Sequence, residues 1–371
     1  MARLTRTQQQ ERTRAAVLAA AREEFAEHGF VNAKIDQIAE RAELTRGAVY
    51  SNFPSKRALY LAVLIASTDH THTTAPPSPR HLDTTATASP ERLEGAAGAF
   101  ARVWLERLPL SGDTAADGRL RLRSLTGLFD DEPGRVASAQ LARLEAVLLA
   151  LPLEAYAPGG ARRVRLAELI LTLLNGAGHL AEAAPGAGDP FDVARACEHL
   201  ASLDLGDTWD PPYLAHVKAA RRVRDSWEPP AELPDQLTGR PVAFGEDGVI
   251  AVLGTARLEA AEEAVRAARP GDRVTVAVVT SDPAELGRLV RLRVADLAAS
   301  LRRVFPLDDR PGPRVVLDER ATVASALGVP APDDTTETAV RVHAGRIVSR
   351  ASGRGAAHAA TTTTVLDEPR G

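Results

Sequence analysis

Between Ile35 and Lys56 the chain reads IDQIAERAELTRGAVYSNFPSK, and its side chains suited to recognition chemistry crowd toward the second half. Arg46 is long enough to offer a forked donor pair to guanine O6 and N7 in a major groove. Thr45 and Ser51 can contact phosphate or bases, while Tyr50 and Asn52 can donate to phosphates. Gly47 and Ala48 are small enough to let a helix approach a groove closely. Lys56, in the first turn of a following helix, adds a point charge beside that helix's free N-terminal amides.

Two short helices around a tight turn must hold these groups. Ile35, Ile38, Ala39 and Ala42 fall at i, i+3, i+4 and i+7, which makes one face of the first helix apolar. Leu44 plugs the turn and Thr45 caps the second helix. Upstream, Gln8 to His28 places Val17, Leu18, Ala21 and Phe25 on one face and stops at Gly29. Downstream, Ser55 caps a helix in which Leu59, Ala62, Val63 and Ala66 repeat at helical spacing. A DNA-reading helix-turn-helix headpiece over residues 8–68 follows.

The 371 residues exceed one core and suggest two or three domains, and a 44% hydrophobic fraction lets each be well packed. The single cysteine, Cys197, excludes an intramolecular disulfide and any Cys-x-x-Cys site and fits a reducing cytoplasm. No apolar run approaches membrane-spanning length and the N-terminus has no signal-peptide core, so a cytoplasmic protein without membrane contact is expected. The overall charge of -4 is unpromising for DNA, yet residues 1–60 carry ten bases against seven acids, a local excess of +3. Arg3 and Arg6 offer an arm for the minor groove or backbone.

Phe25, Gly29, Ile38, Ala39, Ala42, Tyr50, Phe53, Lys56 and Leu59 match the spacing of the TetR family headpiece, which this segment resembles over about residues 10–66. The Tyr-x-x-Phe-x-x-Lys ending joined to the Ile-Ala-x-x-Ala frame is what makes the resemblance specific. It implies a homodimeric transcription regulator, usually a repressor released from its operator by a small-molecule effector, with an all-α second domain that dimerises and holds that effector. Two positions depart from the pattern. Lys34 stands where a threonine or serine usually caps the second helix, and a lysine–phosphate contact is expected in its place. Glu43 stands where glycine is common, which makes the turn sterically harder and sets an acid near DNA.

The stretch from His70 to Pro90, rich in Thr, Pro and Ala, reads as a flexible excursion. From residue 91 to 227 Ala, Leu and Arg dominate, with helices expected near 91–108, 119–129, 134–151, 161–183 and 190–203, and a short basic helix near 214–226. Under the resemblance, 161–183 and 190–203 form the dimer interface, with Gly176 and Gly178 permitting close approach. Trp104, Leu125, Phe129, Leu148 and His179 are the candidate effector-lining residues, though ordinary core is the commoner role of such positions. Cys197 reads as a small buried hydrophobe. His70 and His72 lack a companion ligand, and neither metal nor cofactor is expected.

After EPPAELP, which reads as a linker, the character changes. VIAVLG (249–254), a helix, RVTVAVVT (273–280), a long helix from Asp282 to Phe305, VVLDERATVASALGV and a hairpin turning at Ala344 and Gly345 imply an α/β domain with parallel strands. Residues 233–355 resemble the thioredoxin-like fold, carried by LTGRPVAF and AVRVHAGRIVSRASG. The redox chemistry of that fold needs a thiolate at the start of the first helix, and TARLEA has none. Thr336, Glu337 and Thr338 stand where Thr-Pro-Thr would be expected. A scaffold without redox catalysis is implied, used for interaction, shielding or sensing, followed by a disordered tail over 356–371. The competing classes are a ligand-released DNA-binding regulator, a DNA-anchored redox factor, and a regulator that recruits a protein partner through its C-terminal domain.

Overall fold

The computed structural model describes residues 5–74, 92–109, 115–307 and 312–363. Thirteen α-helices and eight strands are assigned among these. The headpiece holds α1 (Arg6–Asn32), α2 (Ile35–Arg41), α3 (Arg46–Asn52) and the start of α4 (Lys56–Thr74). The helical body follows with α5 (Leu93–Leu105), α6 (Ala115–Leu122), α7 (Glu132–Glu154), α8 (Val164–Ala183) and α9 (Pro190–Leu200). The C-terminal part contains β1 (Arg221–Ser226), β2 (Leu233–Pro234), β3 (Pro241–Val242), β4 (Gly248–Gly254), α10 (Ala260–Ala267), β5 (Arg273–Val279), α11 (Arg288–Val304), β6 (Arg314–Leu317), α12 (Thr322–Ala326), β7 (Glu337–His343), β8 (Arg346–Ser352) and α13 (Ala356–Thr362).

Local chemistry sets most helix ends. Thr5 and Gln8 form a reciprocal capping box on α1. Gly29, at φ 69°, breaks the helical path before Asn32 and turns the chain toward α2. Asp131 accepts from the Gly134 amide at 2.8 Å to open α7, where proline at the second helical position needs no donor.

The six-stranded sheet has the order β1-β8-β7-β4-β5-β6. β4 runs parallel to β5, and β5 to β6, whereas β4–β7, β7–β8 and β1–β8 are antiparallel. Alternate residues of β4 and β5 enter different cores, as the period of two demands. Ala251, Leu253, Val276 and Val278 face α10 and α11; Ile250, Val252, Ala277 and Val279 face Trp227, Phe244 and α12. The first of these cores is continuous with the body, joining Phe100, Leu144, Leu149 and Ile170 to Val276 and Leu297. Body and sheet are therefore fused through one hydrophobic interior.

That fusion corrects several expectations. Arg221–Ser226 is an edge strand on β8, not a basic helix, because ladder pairing with residues 346–350 satisfies its backbone. EPPAELP is no free linker. Leu233 and Pro234 pair with Val242 and Pro241, and Trp227 donates its indole N–H to the Phe244 carbonyl at 2.7 Å. The supposed tail begins as α13, which buries Ala356, Ala357, Ala359, Ala360 and Thr361. Residues 70–74 continue α4; the remainder of the supposed excursion, 75–90, lies outside the described residues, as do Arg3 and residues 364–371. Residues 124–129 leave helical geometry. α7 is long and apolar enough to cross a membrane by length and composition, contrary to the sequence reading, but 67% of that stretch is buried within the protein. Its apolarity serves the shared core.

Candidate nucleic-acid interface

The headpiece core is built from Val17, Ala21, Phe25, Ile38, Ala39, Val49, Phe53 and Leu59, each 5% exposed or less. Phe25 meets Tyr60 edge-on at 4.9 Å, and the Tyr60 hydroxyl donates to the Ser124 carbonyl at 3.0 Å, tying α4 to the body. Leu44 half-buries itself in the α2–α3 turn, and its amide donates to the Ala39 carbonyl at 2.9 Å. Glu43 adopts φ 54°, a left-handed conformation that favours glycine. The Thr45 hydroxyl caps α3 by accepting from the Ala48 amide at 3.2 Å.

This packing leaves one face of α3 open. Thr45, Arg46, Gly47, Tyr50 and Ser51 are exposed, and Ala48 and Asn52 are half-buried at its edge. The Arg46 guanidinium is 3.4 Å from Asp36 and 5.6 Å from the Tyr50 ring centre. Tyr50 first, then Asp36, raises its pKa above the ordinary arginine value, so it is a permanent cation. The Ser51 hydroxyl and the Asn52 amide group both donate to the Ala48 carbonyl at 2.9 Å, and the Asn52 amide group also donates to the Ser51 hydroxyl at 3.5 Å. Lys34 is exposed and lends no side-chain cap to α2; its backbone N–H donates to the buried Glu24 carboxylate at 3.0 Å.

Lys56 sits differently from its expected role. Its ammonium donates to the Val31 carbonyl at 3.1 Å and lies 4.9 Å from the Phe30 ring centre. Burial lowers its pKa, with the charge of Glu24 opposing. A phosphate would have to share this ammonium with the fold. Sequence reasoning missed Arg14, whose guanidinium lies over Phe53 at 4.4 Å and reaches the Asn52 carbonyl, placing a further cation at the C-terminal end of α3. Nothing in α1's periodicity marks that position. Glu24, Glu27 and His28 bring ligand atoms within 4.8 Å of one another, and Arg41 pairs with both glutamates, which accounts for the acidic grouping without a metal.

The proposed effector-lining residues are placed as follows. Trp104 and Leu148 are buried in the shared core, Leu125 and Phe129 pack between the body and headpiece cores, and His179 is exposed on α8. A Cβ on Gly178 would come within 3.1 Å of the Trp104 ring, so this glycine makes room for Trp104 inside the subunit, and Gly176 faces open space. Cys197 is fully buried, and burial aided by Glu198 pushes its thiol up to about 12. An open cleft of about 290 Å³, lined in part by Trp209, Pro212, Leu214, Arg266 and His358, lies beside α10 and α13, where no sequence pattern pointed.

An exposed, capped reading helix on a buried three-helix core is the arrangement of a helix-turn-helix DNA-binding unit. Residues 17–63 match the family model of the bacterial regulatory proteins, tetR family. Over 70 residues, 19% of this chain, it is 46% identical to the uncharacterized HTH-type transcriptional regulator TtgW of Pseudomonas putida. The chain spans about half, 51%, of that relative's length. Among solved structures it is similar to NalD, the secondary repressor of the MexAB-OprM multidrug efflux pump in Pseudomonas aeruginosa, at 22% identity over 52% of this chain and 94% of that one, TM-score 0.34. It is also similar to the fatty acid degradation regulator FadR from Bacillus halodurans, at 18% identity over 52% and 95%, TM-score 0.31.

Proposed function

We propose that this protein is a sequence-specific DNA-binding transcription regulator that works as a homodimer and leaves its operator when a small molecule binds. The observation that carries the reading is the open face of α3, where Arg46 stands among Thr45, Gly47, Tyr50 and Ser51 over a fully packed headpiece. Arg46 reads guanine; Thr45 and Ser51 contact bases or phosphates close by, where Gly47 and Ala48 let the helix approach; Lys34, Tyr50 and Asn52 grip the backbone, and Lys56 joins them only by sharing an ammonium already held by the Val31 carbonyl. Exposed Leu169 and Leu180 on α8 and Phe191 on α9 supply an apolar face suited to a second copy. A dimer presents two headpieces to half-sites about 34–36 Å apart. Repression is the family's usual mode, and the site of action is the cytoplasm.

The C-terminal domain is read as a thioredoxin-like scaffold serving this regulator rather than as an enzyme. Support comes from a central β4 flanked by parallel β5 and antiparallel β7, ending in the β7–β8 hairpin and α13. Where redox chemistry would need a thiolate, the chain carries Thr255 and Arg257; Thr255 donates to Asp334 at 2.7 Å and Arg257 pairs with the buried Glu337.

Selection of bound fragments from a genomic DNA library at fixed salt tests the function. Enrichment of a palindromic sequence is expected, with discrimination at one guanine falling about 10- to 100-fold in Arg46→Ala. Absence of enrichment, or unchanged specificity in that variant, refutes it.

A further inference from the structure

The beginning of α4 is held by the C-terminal domain. In the π turn Pro283–Gly287 just before α11, Glu285 accepts from the Ser55 hydroxyl and, at 2.9 Å, from the Arg57 guanidinium. Arg57 also pairs with Asp131 of the body at 2.7 Å and lies 4.8 Å from the Phe129 ring centre. Arg288 donates to the Ala58 carbonyl at 2.8 Å, with its guanidinium 5.6 Å from the Phe53 ring centre. One turn further, Leu292 is 1% exposed and completes the headpiece's own core. The contacts made by Glu285, Arg288 and Leu292 bridge more than 200 residues of sequence and join the DNA-reading unit to the C-terminal domain.

The same segment is anchored at its other end. It leaves β5 through Thr280 and Ser281, whose hydroxyls both donate to Asp334, Thr280 at 2.6 Å. Thr255, just after β4, donates to the same carboxylate, and the Ala256 amide donates to the Asp334 carbonyl at 2.8 Å. The Asp282 carboxylate then caps the π turn by accepting from the Glu285 amide at 3.0 Å. One continuous strut of hydrogen-bonded residues therefore runs from the Asp334 loop to α4.

We propose that the C-terminal α/β domain sets the pose of the DNA-reading headpiece, with Thr280–Leu292 as a strut that carries events at the Asp334 end of the sheet to α4. This rests on the DNA-binding reading above. With the strut in place Thr45, Arg46, Gly47, Tyr50 and Ser51 remain exposed, so it leaves the reading face open to DNA. Its effect is to fix the angle of the headpiece against the body. Two headpieces must match a fixed half-site spacing, and a headpiece freed from its strut would have to be ordered again on binding.

The test uses the full chain, the duplex enriched by the selection above, and an unrelated duplex of equal length. Glu285→Ala with Arg288→Ala should weaken binding to the enriched duplex by about tenfold and to the unrelated duplex by less than about twofold. Amide hydrogen exchange across residues 56–66 should accelerate without DNA, while circular dichroism stays unchanged. Asp334→Ala, which touches no headpiece residue, should move both readouts in the same direction, and Glu285→Gln should give a smaller loss in a chain that keeps its shape. Unchanged or tighter binding to the enriched duplex in these variants overturns the proposal. If the wild type enriches no sequence, the DNA reading fails, and exchange alone decides: acceleration in Asp334→Ala supports the strut, and no acceleration overturns it.

Discussion

Replacing Glu43 by glycine should stabilise the protein. Glu43 sits in the α2–α3 turn at φ 54°. A left-handed conformation costs a residue with a Cβ roughly 1–2 kcal/mol. Glycine avoids that cost and gives back about 0.5–1 kcal/mol through the greater freedom of its unfolded chain. The Glu43 side chain is exposed and its carboxylate has no ion pair or hydrogen bond among the described residues, so no other contact is lost. The net gain is about 0.5–1 kcal/mol, or about 1–4 °C in melting temperature for a unit of this size. Calorimetry at one protein concentration measures it. Glu43→Gln separates backbone from charge, because it keeps the strain and removes an acid beside the reading helix. It should melt with the wild type yet bind DNA more tightly, whereas Glu43→Gly should change both properties. If Glu43→Gln raises the melting temperature as much as Glu43→Gly, or if Glu43→Gly lowers it, the strain argument is wrong.

Leu292→Ala should cost about 2–5 kcal/mol, since it empties a site shared by the headpiece core and α11; urea unfolding should show headpiece and sheet losing stability together, and an unaltered midpoint would deny the shared core. Glu263, 1% exposed, accepts the Tyr213 hydroxyl at 2.7 Å. Burial raises its pKa to about 6, with the Tyr213 hydrogen bond opposing and Glu337 adding to the rise. Because the fold favours its neutral form, its ionisation costs no stability well below the ordinary value of 4.5, an increasing amount up to about 6, and the full amount above. Glu263→Gln should therefore match the wild type near pH 4 and exceed it near pH 8 by on the order of 1 kcal/mol, measured as urea midpoints at the two pH values.

Features made by neighbours in sequence were legible in the sequence. The apolar spacing of Ile35, Ile38 and Ala39 marked the face that is buried, and Gly29 marked the break in α1. The hydroxyls of Thr45 and Ser55 cap α3 and α4 as expected, accepting from the Ala48 and Ala58 amides at 3.2 and 2.9 Å. Ala344 and Gly345 turn the hairpin with φ values of 47° and 70°. Each of these is settled within a few residues by a hydrogen bond, a torsion or a helical repeat, so composition and spacing suffice to read it.

What joins distant segments was decided by the tertiary structure. Residues 221–226 and 356–362 carry no pattern that separates strand from helix or helix from tail; pairing with β8 and burial under the sheet chose between them. Lys56 has the composition of a phosphate grip, yet its ammonium is turned onto the Val31 carbonyl. Arg57 meets Glu285 across 228 residues, and Leu292 enters a core otherwise built from the first 130 residues. No local periodicity encodes such contacts, because their free energy appears only when both surfaces lose water together. The open face of α3 was thus readable from the chain alone. What holds that face at its angle is a property of the folded whole.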